Sequence, residues 1–234
     1  MDKIYGRNAV IEAFLAKRDI KKAYIIKEDS KIIKKIIDLC QKNNVDINYV
    51  DKRFFEKTKI NHQGVMVYAD EFEYKDINDT LDDDFIVILD KIEDPHNLGA
   101  IIRSCEAMGV DSVIIPEHKS AKINSTVYKT SAGAVNFMKI IMVKNITRTI
   151  KELKDNRFWV YGLAGEASEY IYDTDLKGKV ALVIGNEGKG ISRLVKENCD
   201  MLIKIPMTGK INSLNASVAA AISIYEVLRQ NGKS

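Results

Sequence analysis

The chain has 234 residues, 46% hydrophobic and 29% charged, which suits one large or two small globular domains. No apolar run approaches the roughly 18 residues that span a bilayer, and the opening "MDKIYGRNAV" lacks the apolar core of a signal peptide. The expectation is a cytoplasmic protein with no membrane partner. Three scattered cysteines, Cys40, Cys105 and Cys199, argue against a disulfide framework and for a reducing compartment. Three histidines, none paired at ligand spacing, argue against a metal site.

The net charge of +3 is unevenly spread. Residues 1–60 hold 15 Lys and Arg against 9 Asp and Glu, residues 61–84 hold 1 against 8, and residues 85–234 hold 20 against 16. A basic first third points to a polyanionic partner, or more plainly to a solvated lysine face.

In chain order, "NAVIEAFLAK" reads as a short helix with Val10, Ile11, Phe14 and Leu15 on one face. "KAYIIK" reads as a strand. "SKIIKKIIDLCQKNN" is an amphipathic helix with Ser30 as its N-cap and Ile32, Ile33, Ile36, Ile37 and Cys40 as its stripe. "DINYV" and "GVMVYA" are further strands, the latter after an "NHQG" turn in which His62 and Gln63 belong either to a junction or to the turn itself. The acidic "DEFEYKDINDTLDDD" has no strong periodicity and reads as a linker. The expected division is a small α/β domain over 1–70, a linker over 71–84 and a larger domain over 85–234.

The second block opens on "FIVILD", a continuous apolar run of the buried parallel-strand kind. A helix over "NLGAIIRSCEAMG" follows, stopped by Gly109. Then come the strands "SVIIP" and "KIIMV", a helix near 145–155, the strands "FWVYGLA" and "VALVIG", a short helix near 192–197, the strand "LIKIP", and a terminal helix. In that last helix Val218, Ala221, Ile222, Tyr225 and Leu228 recur at helical spacing, as a buried face would. Strands alternating with helices predict an α/β domain with a largely parallel sheet. Ligands of such sheets sit beyond the carboxyl ends of the strands. There the sequence places "KIEDPHNLGAIIRS", "AGEAS", "NEGKGIS" and "MTGKINSLNAS", four loops rich in Gly, Asn, Ser and charge.

The turn "DPHNLGA" lacks the glycine spacing of a dinucleotide fold, and "GNEGKGIS" lacks the spacing of a phosphate-binding P-loop. In order and spacing, however, "NLGAIIR", "VIGNEGKGIS" and "IPMTGKINSLNASVAAAI" resemble the three motifs of the SpoU (TrmH-type) RNA ribose 2′-O-methyltransferases of the SPOUT superfamily. The resemblance covers about residues 85–230. "IYGRNAVIEAF" and "HQGVMV" are similar to the ribosomal-protein-like, RNA-capturing domain that precedes the catalytic domain in large-subunit ribosomal RNA guanosine 2′-O-methyltransferases.

The resemblance implies a five- or six-stranded parallel sheet whose C-terminal segment threads a deep trefoil knot, and a homodimer with its active site near the subunit interface. It implies S-adenosylmethionine as cofactor and a guanosine of large-subunit ribosomal RNA as substrate, with transfer RNA or another ribosomal site as rivals. A non-catalytic RNA-binding protein that keeps the fold is the rival from another class. Carried over position by position, Leu163, Gly185, Ile205, Met207 and Leu214 would contact the cofactor, and Asn97, Arg103, Glu187, Ser213 and Asn215 would form the catalytic set.

Each of these residues also has a plainer role: a surface arginine for Arg103, a helix cap for Asn97 and for one of Asn212, Ser213 and Asn215, a loop carboxylate for Glu187, core packing for Met207 and Leu214. Capping explains only one of the four polar residues between 212 and 217. Arg103 suits phosphate clamping and stabilisation of a developing alkoxide better than proton abstraction, because a guanidinium holds its proton. Ala216, Ala219, Ala220 and Ala221 suit close helix packing. In the first block Arg7, Lys21 and Lys22, with Lys17, Arg18, Lys34 and Lys35, are the candidate RNA phosphate contacts.

Overall fold

The computed structural model describes residues 1–55, 62–210 and 213–232. They form two compact units: Met1–Glu73 with Lys122–Phe137, and Tyr74–Ala121 with Met138–Ser234.

The first unit is built on a four-stranded sheet of β1 (Asp2–Tyr5), β2 (Ile20–Ile26), β3 (Asp46–Val50) and β4 (Val65–Ala69), in the order β1-β4-β2-β3. β4 is antiparallel to both neighbours, and β2 and β3 are parallel. The edge strand β1 comes from the first residues of the chain, which carry no alternating pattern. Helices α1 (Arg7–Leu15) and α2 (Lys31–Lys42) pack against each other and share the core with the strands. Their buried stripes are narrower than the sequence suggests: Leu15 and Ile32 are exposed while Val10, Phe14, Ile33, Ile36 and Cys40 are buried. Ser30 stands at the N-cap of α2 without a side-chain capping bond; its Oγ instead accepts from Arg7 Nη1 at 3.4 Å.

Two features of the compact units differ from the expected domain division. Residues 122–137 carry α4 (Ser125–Thr130), a short helix with no sequence signal, and belong to the first unit. Tyr128 is fully buried, with the Arg18 guanidinium 5.1 Å from its ring centroid. Gly133, at φ +90°, lies so close to α1 that a Cβ would fall 2.3 Å from Glu12 Cβ. The acidic stretch 74–84 is not a free linker but is folded into the second unit. Asp76 and Asp79 cap a short 3-10 turn reciprocally, and Asp83 is buried, accepting from Ser112 Oγ and Lys139 Nζ.

The second unit is a seven-stranded parallel sheet, ordered β7-β6-β5-β10-β8-β11-β9. Its strands are β5 (Phe85–Asp90), β6 (Ser112–Pro116), β7 (Lys139–Val143), β8 (Trp159–Leu163), β9 (Glu169–Tyr170), β10 (Val180–Gly185) and β11 (Met201–Lys204). The strand beyond the expected six is β9, two residues long. β5 and β10 are buried along their whole length, as the continuous apolar runs require. On one face Ile86, Ile88, Ile141 and Val183 pack with Ile150 and Leu153 of α5 (Ile146–Asp155). Helices α3 (Pro95–Ala107) and α7 (Ala216–Gln230) pack against each other, and α6 (Arg193–Lys196) is a single turn.

The terminal helix α7 does not bury the expected face. Val218, Ile222 and Tyr225 are 46%, 41% and 58% exposed, while Ala216, Ala220, Ile224 and Val227 are buried. Ala216, Ala220 and Ser223 turn inward with Ile224 and Val227, and the apolar stripe Val218, Ile222 and Tyr225 faces out. No helix among the described residues is long and apolar enough to cross a membrane.

Candidate active site

The carboxyl ends of β8, β10 and β11 and the start of α7 surround one cleft in the second unit. Its walls include Leu163, Gly185, Ile205, Met207 and Leu214, all five of the expected cofactor contacts, together with Glu187 and Ser213. The loop after β10 turns back on itself: Gly190 N donates to Asn186 O at 2.8 Å, and Asn186 and Gly190 form an isolated bridge. This turn crosses Gly185 so closely that only a residue without a Cβ fits there.

Glu187 is the centre of the polar arrangement. Its Oε1 accepts from Asn97 Nδ2 at 2.8 Å, from Asn215 Nδ2, and from the Ala216 backbone N–H at 3.3 Å. Asn215 Nδ2 also donates to Asn97 Oδ1 at 3.0 Å. One carboxylate thus ties together the loop after β10, the first turn of α3 and the start of α7, which lie far apart in the chain. Charged acceptors make such bonds stronger than neutral ones.

Asn215 serves two tasks with its two ends. Its Oδ1 caps α7, accepting from Ser217 N at 2.9 Å and Val218 N at 3.4 Å, while its Nδ2 reaches Glu187. Ser217 Oγ adds a bond to the same Oδ1 at 2.6 Å. The polar cluster at the helix start is therefore both a cap and a link to Glu187; Asn212 lies outside the described residues.

Asn97 is not a cap. Asp94 takes that position, accepting from His96 N at 2.9 Å, with Pro95 opening the helix. Asn97 sits within the first turn, where its side chain is free to reach Glu187. Arg103 lies outside the cluster. Six residues along a helix correspond to about 600° of rotation, so Arg103 points about 120° away from Asn97. It is exposed and makes no hydrogen bond or ion pair among the described residues.

Two contributors went unnoticed in the sequence. Asp90, buried at the end of β5, accepts from Ser192 N at 2.6 Å and so anchors the far end of the loop that carries Glu187. Asn186 holds the same loop from within, donating to Lys91 O at 3.2 Å and accepting from Gly188 N at 3.0 Å. A carboxylate closing an otherwise apolar buried strand was a readable signal for Asp90.

The cysteines take no part. Burial pushes the Cys40 thiol up to about 11 and the Cys199 thiol up to about 12, and Cys105 higher still. All three are therefore protonated near neutrality and poor nucleophiles. Thiol titration with a chromogenic disulfide at pH 8 should proceed slowly on the native protein and reach all three cysteines on unfolding; rapid native reaction would contradict this burial.

Among the candidate RNA contacts, Arg7 and Lys21 are engaged within their own unit. Arg7 Nε donates to Gln63 O at 2.9 Å and its Nη2 pairs with Glu28 at 2.8 Å, which makes "NHQG" a structural turn. Lys21 pairs with Asp19 at 2.5 Å and Asp70 at 3.3 Å, and Asp19 holds its ammonium above the usual lysine value. Arg18 pairs with Asp2 and Lys34 with Asp29. Lys22 makes no ion pair among the described residues, while Lys17 and Lys35 are exposed.

A parallel α/β sheet with a cleft at its carboxyl edge and no phosphate loop defines a class of cofactor-binding enzyme distinct from dinucleotide and P-loop folds. Residues 84–225 match the SpoU rRNA Methylase family, and residues 3–75 match the RNA 2′-O ribose methyltransferase substrate binding family. The chain belongs to the SpoU rRNA methylase family. It is 40% identical over 238 residues to the 23S rRNA (guanosine-2′-O-)-methyltransferase RlmB of Xanthomonas campestris pv. campestris, covering 97% of this chain and 96% of the relative. The RlmB of Xylella fastidiosa strain 9a5c is 47% identical over 178 residues, 73% of this chain and 72% of its own. Among solved structures, the SpoU methyltransferase AviRb of Streptomyces viridochromogenes, in complex with AdoMet, superposes with a TM-score of 0.86 at 22% identity, covering 99% of this chain and 91% of that one. That likeness bears out the α/β fold.

Proposed function

We propose that this chain transfers the methyl group of S-adenosylmethionine to the 2′-hydroxyl of a guanosine in 23S ribosomal RNA, as a cytoplasmic homodimer. The observation that carries the reading is the Glu187 cluster, which joins the loop after β10 to the starts of α3 and α7 beside an apolar cleft at the sheet's carboxyl edge. The 23S relatives named above favour a large-subunit substrate.

The cleft suits the cofactor. Leu163, Ile205, Met207 and Leu214 would offer apolar walls to an adenine, Gly185 leaves the backbone bare, and Glu187 adds a carboxylate to the same lining. When bound, S-adenosylmethionine supplies an electrophilic methyl group. What the chain must add is position and charge. Glu187 fixes the side-chain amides of Asn97 and Asn215 beside Ser213, so that polar groups face the acceptor ribose in a set geometry. Arg103 clamps the substrate phosphate and stabilises negative charge as the 2′-oxygen loses its proton. A groove beside the cleft carries Lys91, Lys119, Lys189, Arg193 and Lys196 against Glu93 and Glu166, a net positive lining that suits the RNA backbone.

The proposal includes the family's trefoil knot, supported by the way 186–190 and 213–216 close on one another at Glu187. It also includes the dimer, supported by the exposed apolar stripe Val218, Ile222 and Tyr225. Ile222→Asp with Tyr225→Asp should shift the protein from dimer to monomer in sedimentation velocity; an unchanged oligomeric state would remove α7 from the interface. Parallel assays on unmodified large-subunit RNA, its assembly intermediates and transfer RNA decide the substrate. Transfer to a guanosine of large-subunit RNA is expected, and transfer confined to transfer RNA would replace that part of the proposal.

A further inference from the structure

The sheet of the first unit has two unlike faces. Ile4, Ala23, Ile25, Val65 and Val67 are all 0% exposed on one of them. On the other, the register aligns Lys3, Tyr68 and Lys22 in one cross-strand row, and Tyr5, Met66 and Tyr24 in the next. Tyr5 and Met66 are covered by Phe55, but the adjoining part of this face is open. There Phe54 lies flat on Tyr24, with ring centroids 4.8 Å apart and planes 12° apart, and Tyr68 meets Tyr24 edge-on at 5.9 Å. Lys22 Nζ stands 5.5 Å from the Tyr24 centroid, and Lys3 Nζ 5.5 Å from the Tyr68 centroid.

Core packing accounts for Tyr24 and Tyr68, which are half-buried, but not for Phe54, which is 44% exposed. Beyond Tyr24, Phe54 meets Phe55 edge-on at 5.1 Å, and the rest of its ring stays open to a further partner. Its neighbours narrow the choice of partner. Neither Lys3 nor Lys22 has an ion pair among the described residues, so both ammonium groups keep donors for an anion. Stacked rings flanked by free cations match the two halves of a nucleotide: an unpaired base stacks on the ring and its phosphates meet the lysines. A duplex hides its base faces, so the surface selects single-stranded or looped RNA.

We infer that the open face formed by Lys3, Lys22, Tyr24, Phe54 and Tyr68 is a base-stacking platform for an unpaired segment of the substrate RNA. The inference rests on the RNA methyltransferase reading and assigns its first unit a defined contact surface. Of the basic residues in the first third, Arg7 and Lys21 are spent on internal ion pairs, while Lys3 and Lys22 make none among the described residues.

The test uses the full-length protein and a short unstructured oligoribonucleotide containing 2-aminopurine, whose fluorescence falls when it stacks on an aromatic ring. The wild type should quench it. Phe54→Ala should lose the quenching and bind about tenfold or more weakly, the effect of one lost stacking contact. Phe54→Trp should restore both. Binding of S-adenosylmethionine should be unchanged in both variants. The exposure of Phe54 makes the substitution safe for folding, and the melting temperature checks this.

Wild-type affinity and quenching in Phe54→Ala, with methyl transfer to RNA intact, would overturn the platform and leave the enzymatic reading standing. Loss of self-association in Phe54→Ala without loss of RNA affinity would also overturn it, by showing that another copy covers this face. A folded wild type that neither binds RNA nor methylates it would overturn the enzymatic reading, and the platform with it.

Discussion

Arg103→Ala is expected to lower kcat for methyl transfer by about 10²–10³-fold, the usual cost of removing one donor to a developing oxyanion. Arg103 does not line the cleft proposed for the cofactor, so the affinity for S-adenosylmethionine should stay within about twofold of wild type, the range expected of a surface change. The residue is exposed and unpaired within its own unit, so the fold should not suffer. Arg103→Lys should recover little, because an ammonium is a point charge without the planar fork of a guanidinium. Single-turnover transfer and calorimetric cofactor binding separate the two effects. Normal turnover by Arg103→Ala would remove the residue from the chemistry. A parallel loss of cofactor affinity would place its action in the cleft instead.

Gly185→Ala should act by a different route, on the cofactor rather than on turnover. A Cβ at this position would lie 2.1 Å from Gly190 C, 2.3 Å from Ile191 N and 2.4 Å from Gly190 O. These are backbone atoms and cannot step aside as a flexible side chain would. Overpacking of this kind costs about 1–3 kcal/mol. The turn that would have to move carries Glu187, and with it the bonds to Asn97 and Asn215. Cofactor affinity is therefore expected to fall by about tenfold or more, with a lower melting temperature. Gly188→Ala is the control: its nearest neighbour would be Asn186 Oδ1 at 3.8 Å, which is ordinary contact. Equal behaviour of the two variants would show that the crowding at Gly185 is not what shapes the cleft.

The parallel sheet was legible because strands buried on both faces must be apolar throughout, and "FIVILD" and "VALVIG" are. The cleft was legible through its loops, since Gly, Asn and Ser at the ends of such strands have little structural use elsewhere. The direction of α7 was not. Alanines are short enough to be buried at close range, and Val218, Ile222 and Tyr225 look like core by type alone; only the packing shows that the smaller side chains face inward.

The segment 122–137 was missed because α4 is six residues long, too short to show a period, and its docking depends on Gly133 and Tyr128 meeting residues more than a hundred positions away. Asn97 resembles a cap only if the helix starts there; Pro95, favoured at the first helical position, marks the true start two residues earlier. Basic residues in the first block could be counted but not sorted. Whether a lysine faces RNA or an aspartate depends on neighbours that the pairing of strands brings in, as Lys21 with Asp70 shows.

The central claim is that this site methylates a ribose hydroxyl. Its most direct test is transfer of labelled methyl from S-adenosylmethionine to unmodified ribosomal RNA, followed by alkaline hydrolysis. A methylated 2′-oxygen cannot attack the neighbouring phosphate, so the labelled linkage should survive and release a dinucleotide whose 5′ member is a 2′-O-methylguanosine. Label recovered in alkali-released mononucleotides would place the methyl on a base and contradict the account.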